Sequence, residues 1–193
     1  MILNIIHLSN RVDRWDLLQK ELQQQNIIEY KIWNGIVDPI LILRGISKAH
    51  KQIIKDAKEK NLPEVLIGED DLYFTAKDAF QFFMDNKPSD YDIYLSGVLY
   101  GRIKSDNTIA DFSGATLYMV SERFYETFLS VPENIHIDRA LRNMGKFVVC
   151  NPFVVIQHNG FSDNKKQYCN YEPLLKNRKL FGYSKFPPLS LVS

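Results

Sequence analysis

Cysteine is scarce in this chain, with two residues, Cys150 and Cys169, among 193. That excludes a disulfide framework and fits a reducing compartment in which no bridge is required. No apolar run approaches the ~20 residues that cross a bilayer as a helix. The opening Met1-Ile2-Leu3-Asn4-Ile5-Ile6-His7 lacks the basic start and long apolar core of a signal peptide, so a soluble, cytoplasmic protein is expected. An excess of either charge is missing too: 24 Lys and Arg against 23 Asp and Glu leave +1. A chain that wraps duplex nucleic acid by neutralising phosphates is usually far more basic, so nucleic acid is not an expected partner. With 45% hydrophobic and 24% charged residues, disorder and collagen-like repeats are excluded as well. The length suits one globular domain that buries roughly 70% of its unfolded surface.

What is present is an alternation of strand and helix patterns. Residues 3–8 form a short apolar run, the mark of a buried strand. Asn10 and Asp13 then open a helix that carries Trp15, Leu18 and Leu22 at three-to-four spacing to about Gln25. Residues 27–33 predict a second strand ending at an Asn34-Gly35 turn, and residues 45–60 a second helix with Ile46, Ala49, Ile53 and Ala57 on one face. Val65-Leu66-Ile67 is a strand core running straight into Gly68-Glu69-Asp70-Asp71. Further helices are expected over 76–86, 122–130 and 135–144, and further strands over 91–95, 115–120, 147–150 and 153–156. This order argues for an α/β fold with a largely parallel sheet flanked by helices.

Residues 158–193 differ. Lys165, Lys166, Lys176, Arg178, Lys179 and Lys185 stand against Asp163 and Glu172, a balance of +4 that leaves −3 on the preceding 157 residues. The expected division is a catalytic domain over 1–157 and a basic, aromatic tail over 158–193, packing on or over the site. Such a tail can cover an anionic ligand, touch an anionic membrane surface, or simply be a solvated basic end.

The acidic triplet is the strongest chemical signal. A buried strand delivers Glu69, Asp70 and Asp71 at its C-terminal end, where open α/β sheets place their ligands. Three adjacent negative charges repel one another unless a cation relieves them. In an extended chain Glu69 and Asp71 point to the same side, which suits a hard divalent ion that also holds substrate phosphates. Acidic residues after a strand can equally cap the next helix.

The chain resembles the family 25 glycosyltransferases, the lipooligosaccharide and procollagen galactosyltransferase group. Ile5-Ile6-His7-Leu8-Ser9-Asn10-Arg11-Val12-Asp13-Arg14 is similar to that family's opening strand and its Asn-Leu-x-x-Arg-x-x-Arg segment. Ile32-Trp33-Asn34-Gly35 stands at its Ala-x-x-Gly turn, and Gly45-Ile46-Ser47-Lys48-Ala49-His50 at its Gly-Cys-x-x-Ser-His helix start. Leu66-Ile67-Gly68-Glu69-Asp70-Asp71 matches its Leu-Glu-Asp-Asp block. Gly114 to Ser121 resembles its Gly-x-x-x-Tyr-x-x-Ser strand, Ile137-Asp138 its Val-Asp, and Pro152, Gln157 and Ser162-Asp163 its closing pattern. Seven weak motifs stand in the right order. His7, Ile46 and Ala49 depart from the family's Asn, Cys and Ser, which leaves the carboxylate motif intact and bears on donor and acceptor identity.

The resemblance implies a GT-A fold and inverting transfer of a hexose, galactose or glucose, from a nucleotide-sugar such as a UDP-sugar to a hydroxyl acceptor. The expected acceptor is a saccharide of a lipooligosaccharide or another surface glycan. Mn²⁺ or Mg²⁺ is the expected cofactor, held by Glu69 and Asp71, with His158 as a candidate third ligand and Asp70 beside the donor. Leu8, Arg11 and Arg14 follow the first strand at the ligand edge, where arginine's planar fork suits phosphate or uracil oxygens. His50, in a helix's first turn, and Lys165 and Lys166, in the tail, are further donor-binding candidates. Asp138 is the candidate base for the acceptor hydroxyl; it can equally be a helix-start acid interacting with the dipole. Two other classes use the same strand-end carboxylates: a metal-dependent nucleotidyltransferase or phosphohydrolase, and a non-catalytic nucleotide- or sugar-binding relative.

Overall fold

The computed structural model describes residues 1–182; Lys185 and the aromatic and proline residues of the tail from Tyr183 onward lie outside them. In chain order the elements are β1 (Leu3–His7), α1 (Val12–Gln24), β2 (Tyr30–Asn34), α2 (Ile42–Glu59), β3 (Glu64–Glu69), β4 (Leu72–Phe74), α3 (Ala79–Asp85) and β5 (Ile93–Leu95). There follow β6 (Tyr100–Gly101), β7 (Thr108–Ile109), β8 (Phe112–Ser113) and β9 (Leu117–Ser121). A 3-10 turn over Glu122–Phe124 leads into α4 (Tyr125–Ser130). The described residues finish with α5 (Ile137–Ala140), β10 (Phe147–Val149), β11 (Val155–Gln157), β12 (Gly160–Ser162), β13 (Gln167–Cys169) and α6 (Glu172–Leu175).

Seven strands make the central sheet, in the order β2-β1-β3-β9-β5-β10-β7. β2, β1 and β3 are mutually parallel, and β5 pairs parallel with β10. β9 runs antiparallel between β3 and β5, and β7 antiparallel at the edge. The sheet is mostly parallel, as the alternating pattern requires.

Both faces of the sheet are covered, and single-residue alternation decides which side each residue feeds. Val65 and Ile67 join one core with Ile93, Leu95, Tyr118 and Val120, beneath α2 and α4. Leu66 joins the other with Leu3, Ile5, Tyr94, Leu117 and Met119, beneath α1 and α3. Each fully buried Leu or Ile contributes roughly 2 kcal/mol, so a one-residue slip of β3 would forfeit several such terms at once.

Three elements differ from expectation. The helix over 135–144 is confined to Ile137–Ala140, because only Leu141 there is fully buried and Asn143 takes a left-handed φ of 61°. Four residues without an apolar stripe cannot propagate a helix. The strand expected over 153–156 leaves the central sheet: β11 pairs antiparallel with β4, which follows the acidic triplet directly. The tail, which shows no periodicity, forms the β12–β13 hairpin and α6.

Candidate functional site

The strands place the acidic triplet at the centre of the sheet's C-terminal edge. Glu69 ends β3 beside Ile6 of β1, and its N–H donates to the Thr116 carbonyl at 2.9 Å. Asp70 and Asp71 form the turn into β4, and both are buried. β9 runs the opposite way, so its approach segment, Gly114 and Ala115, faces the same edge from the far side. A cavity of about 330 Å³ opens between these strand ends. Leu8, Arg14, His50, Glu69, Asp70, Asp71, Asp138 and Lys165 all line it. Arg11, Lys166 and His158 do not.

Asp70 uses both oxygens on protein partners. His7 Nδ1 lies 2.8 Å from Oδ2, and Arg14 Nη1 donates to Oδ1 at 2.7 Å. The same Arg14 nitrogen stands 3.2 Å from Asp71 Oδ2, and Nη2 donates to the Phe161 carbonyl at 3.3 Å. Asp71 is less well served, since its Oδ1 is buried without a hydrogen-bond partner. Its carboxyl is pushed up to about 7, first by burial and then by the charge of Glu69, with Arg14 pulling the other way. Glu69 meets His50 Nε2 at 3.3 Å through one oxygen and the Gln157 amide at 3.4 Å through the other.

A divalent cation fits this donor set. A buried orphan carboxylate oxygen beside a second carboxylate is a site short of positive charge. Among the described residues no three His, Cys, Asp or Glu side chains gather as metal ligands. Magnesium-like ions need no such cage, because they take one or two carboxylates and complete their shell with water and substrate phosphates.

His158 is not brought to the carboxylates. Its backbone N–H donates to the Asp71 carbonyl at 2.8 Å, while its ring lies edge-on to Tyr73 at 4.8 Å and its Nε2 faces Glu21 at 3.6 Å. The reason is register: β11 pairs with β4, Gln157 points into the cavity, and the next side chain points the other way. Arg11 is likewise committed elsewhere, donating to Asp13 at 2.9 Å and to Asp163 at 2.5 Å. It ties α1 to the β12–β13 hairpin instead of facing the cavity. Lys166 occupies a left-handed turn position of that hairpin, with φ 55°. Lys165 reaches the cavity wall with its ammonium 5.5 Å from the Tyr171 ring centre.

Asp138 lines the same cavity. Its Oδ2 accepts the Gly114 N–H at 2.9 Å and its Oδ1 the Arg139 N–H at 2.7 Å. Each oxygen keeps a further lone pair. Sequence reasoning missed Tyr118, Gln157 and Asn164 as cavity residues. Tyr118 and Gln157 stood within quoted motifs, yet nothing in their spacing showed that they face a ligand.

No protein-family model matches the chain, and no curated protein matches it. Among solved structures, A197 from STIV is similar with a TM-score of 0.53 at 13% identity, over 86% of this chain and 92% of that one. The catalytic domain of Drosophila beta1,4-galactosyltransferase 7, in complex with xylobiose, is similar with a TM-score of 0.52 at 13% identity, over 92% and 79% of the two chains. The likeness is one of fold: the chain has a GT-A-like, mixed α/β architecture.

Proposed function

We propose that this chain is a metal-dependent, inverting glycosyltransferase that moves a hexose from a nucleotide-sugar to a hydroxyl acceptor, and that it is kin to family 25. The observation that carries the reading is the orphan Asp71 oxygen, buried beside Glu69 at the strand ends that open into the cavity. The order of the seven motifs supports the kinship, and the fold is one on which such transfer is done.

In this reading Glu69 and Asp71 would hold Mn²⁺ or Mg²⁺, which would supply positive charge for the diphosphate leaving group. Arg14, already among the carboxylates, and Lys165, on the hairpin above them, bind the diphosphate oxygens. Asp138 takes the proton from the acceptor hydroxyl. The freed oxygen then bonds to the anomeric carbon from the face opposite the nucleotide, and the bond to the diphosphate breaks with its electron pair on the leaving oxygen. Leu8 and the Gly35 turn wall the nucleotide side. The acceptor is a saccharide of a surface glycan, reached in the cytoplasm at the inner face of the membrane. The contact proposed there is peripheral, through the basic tail; no helix among the described residues is long and apolar enough to cross a membrane.

Thermal melting tests this. UDP with Mn²⁺ raises the melting temperature, UDP with a chelator does not, and Asp71→Asn abolishes the metal-dependent part. A wild-type protein that responds to no UDP-, GDP- or CMP-sugar with Mn²⁺ would overturn it.

A further inference from the structure

His50 is a donor-binding candidate by sequence, yet both of its ring nitrogens are already engaged. It is 3% exposed on α2, with Nδ1 2.6 Å from the Tyr118 hydroxyl and Nε2 3.3 Å from Glu69 Oε1. Tyr118 is the second residue of β9, 4% exposed. The two rings sit 5.9 Å apart with a 32° tilt, so the contact is a directed hydrogen bond and not a stack. Proton placement follows from the partners. A carboxylate only accepts, so a neutral His50 is best served with its hydrogen on Nε2, facing Glu69 at 3.3 Å. In that neutral ring the lone pair is on Nδ1, and the Tyr118 hydroxyl is the donor. Burial holds that hydroxyl protonated, which suits it to the task.

We propose that Tyr118 is a positioning residue for Glu69: its hydroxyl pins neutral His50 in the tautomer that turns Nε2–H toward the Glu69 carboxylate. The proposal rests on the reading of Glu69 as a cation-holding residue. Without the pin, the imidazole can move its proton to Nδ1 and turn a lone pair toward Glu69. Two acceptors then face each other, and the carboxylate swings off, keeping only the long contact to Gln157 at 3.4 Å. A buried tyrosine on the central strand thereby sets where a carboxylate at the strand edge points. Partners of this kind orient a ligating side chain without touching the ion.

Nitrogen-15 NMR of the ligand-free full chain reads the His50 tautomer directly, and melting with UDP and Mn²⁺ reads its consequence. Wild type is expected to show Nε2–H alone, and Tyr118→Phe to show a mixture with Nδ1–H. UDP·Mn²⁺ affinity is expected to fall about tenfold in Tyr118→Phe and His50→Ala. His50→Gln should retain most of it, because its amide oxygen accepts from Tyr118 while its NH₂ donates to Glu69. That rescue should vanish in the double variant with Tyr118→Phe. A wild-type Nδ1–H tautomer, an unchanged tautomer in Tyr118→Phe, or a His50→Gln as weak as His50→Ala each overturns the pin. Should Tyr118→Phe fail to fold, the wild-type tautomer and the His50 pair still decide. The tautomer of the free protein also stands apart from nucleotide binding, so a wild type blind to UDP·Mn²⁺ sinks the function and leaves the pin decided on its own readout.

Discussion

Arg14 Nη1 donates to Asp70 Oδ1 at 2.7 Å, a charge-assisted bond in which neither side chain is well exposed. Through the same nitrogen, 3.2 Å from Asp71, it sets one positive charge against two carboxylates of the triplet. Arg14→Ala leaves Asp71 without its cation and Asp70 with His7 alone, and removing one partner of a buried pair costs about 3–5 kcal/mol. Urea unfolding at neutral pH should show a loss of that size. Adding Asp70→Asn to it should recover a large share, because one stranded charge disappears. A single-variant loss below ~0.5 kcal/mol, the level of an ordinary surface change, would mean the arginine is not the internal counter-ion.

Asp71 gives the triplet a pH signature. Its carboxyl is pushed up to about 7 in the folded protein by burial and by Glu69, against 3.8 for an ordinary aspartate. Below ~4 both folded and unfolded chains hold the proton, and the group contributes no pH-dependent penalty. As pH rises from there through about 7 the folded chain keeps a proton that the unfolded chain has lost, so stability falls across that window. Asp71→Asn does not titrate. Its stability advantage over wild type should therefore grow between pH 4 and 7, reaching a few kcal/mol, and level off above. Melting curves across pH check this, and a difference that stays flat would sink it.

The frame of this fold was readable because its strands are apolar runs with helices at the expected spacing. Buried Val65, Leu66 and Ile67 announced β3, and the polar break after them announced the site. The central position of the triplet follows from β3 lying between β1 and β9, an order set by long-range pairing that no local pattern encodes. His158 shows the limit most clearly. Its place after an apolar strand was legible, but the direction of its side chain depends on β11 pairing with β4. Arg11 and Arg14 have the same spacing logic and opposite fates. Which arginine reaches the carboxylates depends on Asp163, 152 residues away from Arg11 in sequence, claiming the other. The Tyr118–His50–Glu69 chain joins β9, α2 and β3, and its geometry exists only after those three elements have met.

Asp138 decides between catalysis and mere helix-start electrostatics. The Gly114 N–H that aims it comes from a residue at φ +78°, where a Cβ would sit 2.6 Å from Leu99 Cγ. Glycine is required there for both reasons. Asp138→Asn keeps an oxygen to accept that N–H and so keeps the local structure, but it cannot take a proton. If Asp138 is the base, turnover should fall about 100- to 10,000-fold while the UDP·Mn²⁺ melting shift stays unchanged, because its hydrogen bonds are to Gly114 and Arg139 and not to the triplet. Gly114→Ala should act on the same step by a different route. It leaves the carboxylate in place chemically, strains the loop by roughly 1–3 kcal/mol, and lowers turnover through misplacement with donor binding retained. An Asp138 that only opens a four-residue helix predicts the reverse: turnover within twofold for Asp138→Asn, and a Gly114→Ala defect confined to stability. Measuring turnover, melting temperature and donor shift on the two variants together separates these outcomes, since only a base loses rate in Asp138→Asn without losing fold or donor.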